Sequence, residues 1–515
     1  WLTECRQNHE KCISWKKKHH DRGPMRLLDL STQNPKLIVP AKGQIIPYVA
    51  LSHCWGGGSP LRTVQANVDQ HFLAINENDL PKTFRDAIIV TKTLDFQYLW
   101  IDSLCIVQDD HEDWAREAAK MADIYESAEL TIAATWARNG DAGCFREGFP
   151  PFSATIGMQS DPGGTLKDVV NISMRPEYDE FASLHRAPLN TRAWTLQERL
   201  LSLRIVSFAA DQMHWACPSK YNSEDGLGLS EYIFDGRNTI LSYETGNSSA
   251  HGDDDDEEDE LRNYTHFRES WTTTVTSYSE RHLTFAKDKL VALAGVTQAY
   301  ERIFGDTAIL GLWRQELARG LTWTVAKHST LDDEAIRTLN LPSWTWLKMR
   351  GHVEYIKQIG AESLLDVLDV DVQWSGRPMI STITTAAITL RGKLAPILSW
   401  NSQLAPEPCV CVPGRVQISI DVNGSRADVD LYTLNMDVCA PTFPPESFCL
   451  LVYDDEIIGR WGRRNADLMQ LSALLLVPAK GGSAVSSFQR IGVMLFQEFP
   501  SQVFEDVREQ TITLV

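Results

Sequence analysis

The sequence predicts an α/β fold at the front of the chain and a β-rich fold at its end. Three observations carry that expectation. Short apolar runs alternate with helical patterns over residues 48–135, which means βαβ units and a parallel sheet with helices on its faces. From about 264 to 325 the apolar residues recur at helical spacing. After about 340 the apolar period becomes two, the signature of strands with one buried face, and a mostly antiparallel β domain follows.

Residues 1–45 are polar with scattered apolar anchors, punctuated by Pro24, Pro35 and Pro40, and are expected to be an N-terminal extension. Residues 48–55 form an apolar run that ends in Gly56, Gly57 and Gly58, a strand leading into a loop. Residues 81–94 open with Pro and Thr and set Phe84, Ile88 and Thr91 on one face, a helix with its start signals in place. Residues 96–102 predict the next strand. A single helix is expected from Asp113 to Ala128, with Trp114, Ala118, Met121 and Tyr125 as its apolar stripe. Residues 130–135 predict a third strand, and 140–187, rich in Gly, Pro and Asp, predict loop. A helix is expected over 191–201, then a hairpin from 202 to 215. Residues 244–262 combine a Gly/Ser tract with the acid run DDDDEEDE at 253–260, a solvated, mobile insertion. Leu290, Leu293 and Ala294, then Leu312, Leu317 and Leu321, mark the helical middle. Beyond it, Leu368, Val370 and Val372 alternate with Asp369 and Asp371, and Val416, Ile418 and Ile420 alternate with Gln417 and Ser419. Asn423-Gly424 is a hairpin turn signal. Residues 474–477 and 491–496 suit more buried strands. The expected organisation is therefore 1–45, an α/β domain over 46–215, a helical region over 216–335 and a β-rich domain over 336–515.

Composition excludes some partners. The chain has 49 Lys and Arg against 68 Asp and Glu, a net charge of −19. Without the eight acids of 253–260 the balance is 49 against 60, or −11. Nucleic acid requires a basic footprint, so it is not expected as a partner. No stretch approaches the roughly 18 consecutive apolar residues of a membrane span. Ten Cys among 515 residues fit a reducing compartment better than a disulfide scaffold, and a cytoplasmic location is expected.

Several residues carry chemistry by type and place. His53 ends one inferred strand, and Asp102 and Cys105 end the next. In a parallel sheet such side chains converge on the crevice where ligands bind. A Cys105 thiolate with His53 as base and Asp102 as orienter would make a nucleophilic set. The plainer alternative is a histidine tying two loops and a buried, inert cysteine. The glycines at 56–58 would let a backbone approach a phosphate, but they match neither a dinucleotide fingerprint nor a P-loop and read as a tight turn. Cys5, His9 and Cys12 have metal-ligand types at i, i+4, i+7 spacing. A fourth ligand is not identified by sequence, with Cys144, Cys217, His19 and His20 as candidates, and no metal is assigned.

Three blocks together resemble the HET (heterokaryon incompatibility) domain of filamentous fungi. They are Leu51-Ser-His-Cys-Trp-Gly56; Leu99-Trp-Ile-Asp-Ser-Leu-Cys-Ile-Val-Gln108 followed by Asp113-Trp114 and the Glu117/Met121/Tyr125 face; and Arg192-Ala-Trp-Thr-Leu-Gln-Glu198. Residues 288–295 and 341–346 look like the usual downstream companions of such domains. The resemblance implies a role in fungal non-self recognition and regulated cell death. The HET domain is in turn similar to the TIR fold, a flavodoxin-like sheet. The segment from Trp194 to Glu198 looks like the one that opens a late helix in TIR domains, where the Glu is catalytic in the members that cleave NAD. That carries over to Glu198 alone, with NAD as substrate rather than cofactor. Trp55, Gly56, Arg192 and Trp194 would bind substrate around it, the two indoles stacking on a base or nicotinamide ring. Three functions follow: an NAD glycohydrolase using Glu198, for which assembly with protein partners or with itself is expected; a non-enzymatic interaction module; or a different enzyme, biosynthetic or hydrolytic, using Cys105 and His53.

Overall fold

The computed structural model describes residues 1–18, 23–57, 61–146, 152–158, 168–174, 184–226, 256–326, 329–355, 362–402, 416–437, 444, 446–454, 470–479, 486–497 and 504–515. They fall into two compact units, one within Trp1–Ser248 and one within Ser249–Val515. Among the described residues no helix is long and apolar enough to cross a membrane.

The first unit is a mixed α/β structure. Its strands are β1 (Leu27–Asp29), β2 (Lys36–Ile38), β3 (Val49–Ser52), β4 (Tyr98–Ile101), β5 (Leu130–Ala133), β6 (Phe152–Met158), β7 (Asp168–Met174), β8 (Ile205–Phe208), β9 (Met213–Cys217) and β10 (Lys220–Ser223). Eight of them form one sheet in the order β10-β9-β8-β5-β3-β4-β1-β2. The four central strands are parallel: β3 pairs with β4 and β5, and β5 with β8. Antiparallel strands flank them on both sides, β1 and β2 beyond β4, β9 and β10 beyond β8. β3 and β5 are buried along their whole length, as central strands covered on both faces must be. The N-terminal residues thus supply two strands of the sheet.

The helix Lys82–Thr93 agrees with the sequence reading, with Phe84, Ala87, Ile88 and Thr91 buried. The single helix expected over 113–128 is corrected to two, His111–Ala118 and Met121–Ser127. The first is capped by Asp110, whose side chain accepts from the amides of Glu112 and Asp113. The Lys120 amide bonds the Glu117 carbonyl, a tight turn that ends one helix and starts the next. Residues 140–187, expected as loop, include the hairpin β6–β7, paired from Phe152↔Met174 to Met158↔Asp168. The helix expected over 191–201 begins as a 3-10 turn at Leu189–Thr191 and runs as α-helix from Trp194 to Leu201.

In the second unit the acid run is partly corrected. Its last residues open the helix Asp256–Ser279, since acids suit the positive end of a helix dipole; residues 244–255 lie outside the described residues. The helix Val291–Phe304 follows and ends on Gly305 in the left-handed region. Phe267, Trp271, Tyr300 and Trp313 pack around it ring on ring.

The antiparallel sheet of the second unit closes on itself. Ile383–Ser402 pairs with Val416–Val422, then in turn come Ser425–Met436, Ser487–Gln497, Gln470–Pro478 and Ser447–Asp454, which returns to Ile383–Ser402. One buried cluster, including Ile397, Ile418, Leu431, Leu451, Leu475 and Phe496, draws on all six strands. Asn423 and Gly424, both with positive φ, make the expected hairpin turn. Arg490, fully buried, donates to Asp437 at 2.6 and 2.7 Å and to the Leu321 carbonyl at 2.9 Å, and lies 3.5 Å above the Trp323 ring. Lys348 adds a second cation 2.9 Å from Asp437.

Candidate functional site

The site grows from the carboxyl ends of β3 and β4 and from the helix that begins at Trp194. Thr195 fixes that helix start: its hydroxyl donates to the carbonyls of Leu189 and Arg192 at 2.8 and 2.9 Å. One turn on, Glu198 reaches the end of β3, where the Ser52 hydroxyl donates to its carboxylate at 2.5 Å. The Tyr125 hydroxyl donates to the Leu51 carbonyl at 3.2 Å, and its nearness favours the charged form of Glu198. Glu198 is 5% exposed. Burial, reinforced by the nearby charge of Asp102, pushes its carboxyl up to about 7, against the opposing pull of Ser52, Arg192 and Tyr125.

His53 follows β3 directly and is buried, edge-on to Phe84 at 5.0 Å. Its Nδ1 is 3.7 Å from Asp102, and neither ring nitrogen has a hydrogen-bond partner. Burial lowers it to about 4 despite Asp102, so the ring is neutral at pH 7. Asp102 begins the short helix Asp102–Cys105 after β4. Its carboxylate accepts from the Trp55 indole at 2.9 Å and from the Ser103 amide at 2.7 Å. Arg192 donates to the His53 carbonyl. The structure thus brings His53, Trp55, Asp102, Arg192 and Glu198 to one edge of the sheet.

Three other residues hold different places. Gly56 has φ +80°, and a Cβ there would stand 2.6 Å from the Cβ of Asn139, so a tight turn against that residue requires glycine. Trp194 packs edge-on to Trp114, 6.3 Å between ring centres. Cys105 is fully buried, which pushes its thiol up to about 12, and no hydrogen bond joins it to His53. Its carbonyl instead accepts from Arg26 at 2.7 Å. Asp113 holds the other end of Arg26 and accepts from the Val107 amide at 2.9 Å, which gives the Asp113-Trp114 pair a structural task.

Sequence reasoning missed Ser52 and the role of Tyr125. Ser52 is the last residue of β3 and stands beside His53, a position that could have flagged it. Tyr125 falls on an apolar stripe and reads as core. A cavity of about 30 Å³ opens next to Ser52 between the ends of β3, β5 and β8, lined also by Ala133, Thr195, His214, Trp215 and Tyr221. It has room for a water or two.

Residues 48–198 match the family model described as Heterokaryon incompatibility protein (HET). That span holds β3 to β5 and every residue gathered at the site, so the site lies inside a heterokaryon incompatibility domain. The chain therefore carries a heterokaryon incompatibility domain over those residues. No curated protein and no solved structure gives a significant match.

Proposed function

We propose that this is a cytoplasmic protein of fungal non-self recognition and regulated cell death, and that its HET domain acts as a TIR-like NAD glycohydrolase with Glu198 as the catalytic carboxylate. Glu198 carries the reading: a carboxyl near 7, hydrogen-bonded to the end of a central parallel strand, with a second acid and an arginine beside it. Perturbed carboxyls in such places mark functional sites.

The strand order supports the same reading. Numbered along the chain, the four parallel strands lie across the sheet as 2-1-3-4, the beginning of the flavodoxin-like order. The switch point of that order falls between β3 and β5, and open sheets bind ligands outside the strand ends there. In the proposed reaction the nicotinamide–ribose bond breaks and positive charge develops on the sugar. Ionised Glu198 holds a ribose hydroxyl and stabilises that charge. The partly exposed ring of Trp55 stacks on the base or nicotinamide. The cavity beside Ser52 takes water but no nucleotide, so in this reading activity waits on assembly with a partner or a second copy.

Incubation of assembled protein with NAD should release nicotinamide. Glu198→Gln should reduce the rate by about 100-fold or more, and Cys105→Ser should reduce it little. Turnover that survives Glu198→Gln and is lost with Cys105→Ser would overturn the reading in favour of the thiol enzyme, which a buried thiol near 12 does not favour. The burial of Glu198 favours one alternative, an interaction module in which the same contacts only hold the domain together. Absence of turnover in assembled protein would select it.

A further inference from the structure

We propose that Cys5, His9, Cys12 and Cys217 form a structural zinc site in the first unit. Their four ligand atoms all lie within 4.8 Å of one another. The sequence offers three of them close together, but on two helices rather than one. Leu2–Asn8 carries Cys5, Glu10–Lys18 carries Cys12, and His9 stands at the break with extended backbone, φ −95° and ψ 98°. Cys217, the last residue of β9, supplies the fourth from more than 200 positions away.

The geometry fits zinc. Tetrahedral Zn²⁺ with Zn–S of about 2.3 Å and Zn–N of about 2.0–2.1 Å sets neighbouring ligand atoms roughly 3.5–3.8 Å apart. Cys217 Sγ and His9 Nδ1 are 3.4 Å apart already, and the widest separation needs to shorten by only about 1 Å. Three Cys and one His fill four positions, the closed set of a structural site rather than a catalytic one. The three cysteines are buried together, with their sulfurs and the His9 imidazole converging on one point. Arg204 Nε donates to Cys5 Sγ at 3.1 Å, and the Ser219 hydroxyl lies 3.8 Å from Cys12 Sγ. Such contacts orient and stabilise ligating thiolates. On loading, the three thiols release their protons to solvent. The ion with three thiolates and a neutral imidazole then carries one negative charge, which the Arg204 guanidinium offsets.

The position indicates the role. Arg204 precedes β8 and bonds the carbonyl of Glu129, which precedes β5. The cluster therefore sits at the amino ends of the parallel strands, opposite the edge that holds Ser52 and Glu198. There it clips the two N-terminal helices to β9, whose Trp215 and Ala216 line the cavity beside Ser52.

Metal analysis of the full chain, purified under reducing conditions and dialysed against equimolar zinc, should give one zinc per chain. Cys12→Ser and Cys217→Ser should each lose it, Cys144→Ser should keep it, and His9→Cys, which offers four thiolates, should also keep it. Cobalt replacing zinc in the unmutated chain should give tetrahedral visible bands and a thiolate charge-transfer band, a readout that holds even if a variant fails to fold. The proposal is overturned if the loaded chain holds no stoichiometric zinc, if Cys217→Ser retains it, if cobalt shows no thiolate band, or if two of the three cysteines are joined as a disulfide in the folded protein.

Discussion

A carboxyl that titrates near 7 inside the fold and near about 4.3 in the unfolded chain makes stability depend on pH in a defined direction. Below the unfolded value, Glu198 is protonated in both states and its contribution is complete. As pH rises through about 7, burying the charge progressively weakens the fold. Glu198→Gln removes the charge, so at pH 8 the variant should be more stable than the parent by on the order of 3–4 kcal/mol, with little difference at pH 4. Urea midpoints at the two pH values test this. Higher stability joined to lost turnover would mark a residue kept for chemistry. His53 acts with the opposite sign. Its folded value of about 4 lies below the ordinary 6.5, so its contribution is present above 6.5 and is lost as pH falls through 4. His53→Gln should therefore flatten the acid side of a stability profile measured from pH 7 to 4. The placement of Glu198, His53 and Asp102 at one sheet edge was legible because each sits at the end of a recognisable element. Ser52 and the Tyr125 hydroxyl were not, since their partners lie 146 residues away for Ser52 and 74 for the Leu51 carbonyl that meets Tyr125, and only folding sets such pairs together.

At the scale of elements, the β3-to-loop junction depends on Gly56. Its positive φ and the contact with Asn139 leave no space for a side chain. Gly56→Ala should cost about 1–3 kcal/mol, read as a lowered melting temperature, and should displace Trp55 and so its bond to Asp102. Elements with a strong period were readable, among them Lys82–Thr93 and the hairpin through Asn423-Gly424. Those whose evidence is tertiary were not. β1 and β2 have three residues each, too few for a period, and exist because β4 offers an edge. The stripe from Trp114 to Tyr125 runs unbroken through the turn at Lys120, so periodicity cannot see that the helix ends there. In β6 and β7, Gly157, Ser153 and Asn171 dilute the alternation, and pairing with each other carries the hairpin instead.

At the scale of the whole molecule, the Arg490–Asp437–Lys348 group joins the closed sheet to the segment at Leu321 and Trp323. Arg490→Ala would strand Asp437 beside a single cation and empty the space above Trp323. It should destabilise the second unit by about 3–5 kcal/mol, visible as faster amide exchange in Ser425–Met436 and Ser487–Gln497. The fold class was legible at this scale, a parallel-containing sheet first and an antiparallel one last. The closure of the second sheet was not, because the pairing of Ile383–Ser402 with both Val416–Val422 and Ser447–Asp454 leaves no local trace.

The place of β4 in the first sheet bears on how the chain is made. β1 and β3 never touch each other; each pairs with an opposite side of β4. Until synthesis reaches Tyr98, these two strands have no common neighbour, and their edges stay open. Arg26 likewise waits for Asp113, and Lys16 for the carbonyl of Ser127. Long-range closure of this kind slows folding, so the apolar edges of β1 and β3 stay unpaired with β4 until Tyr98–Ile101 emerges and joins both at once.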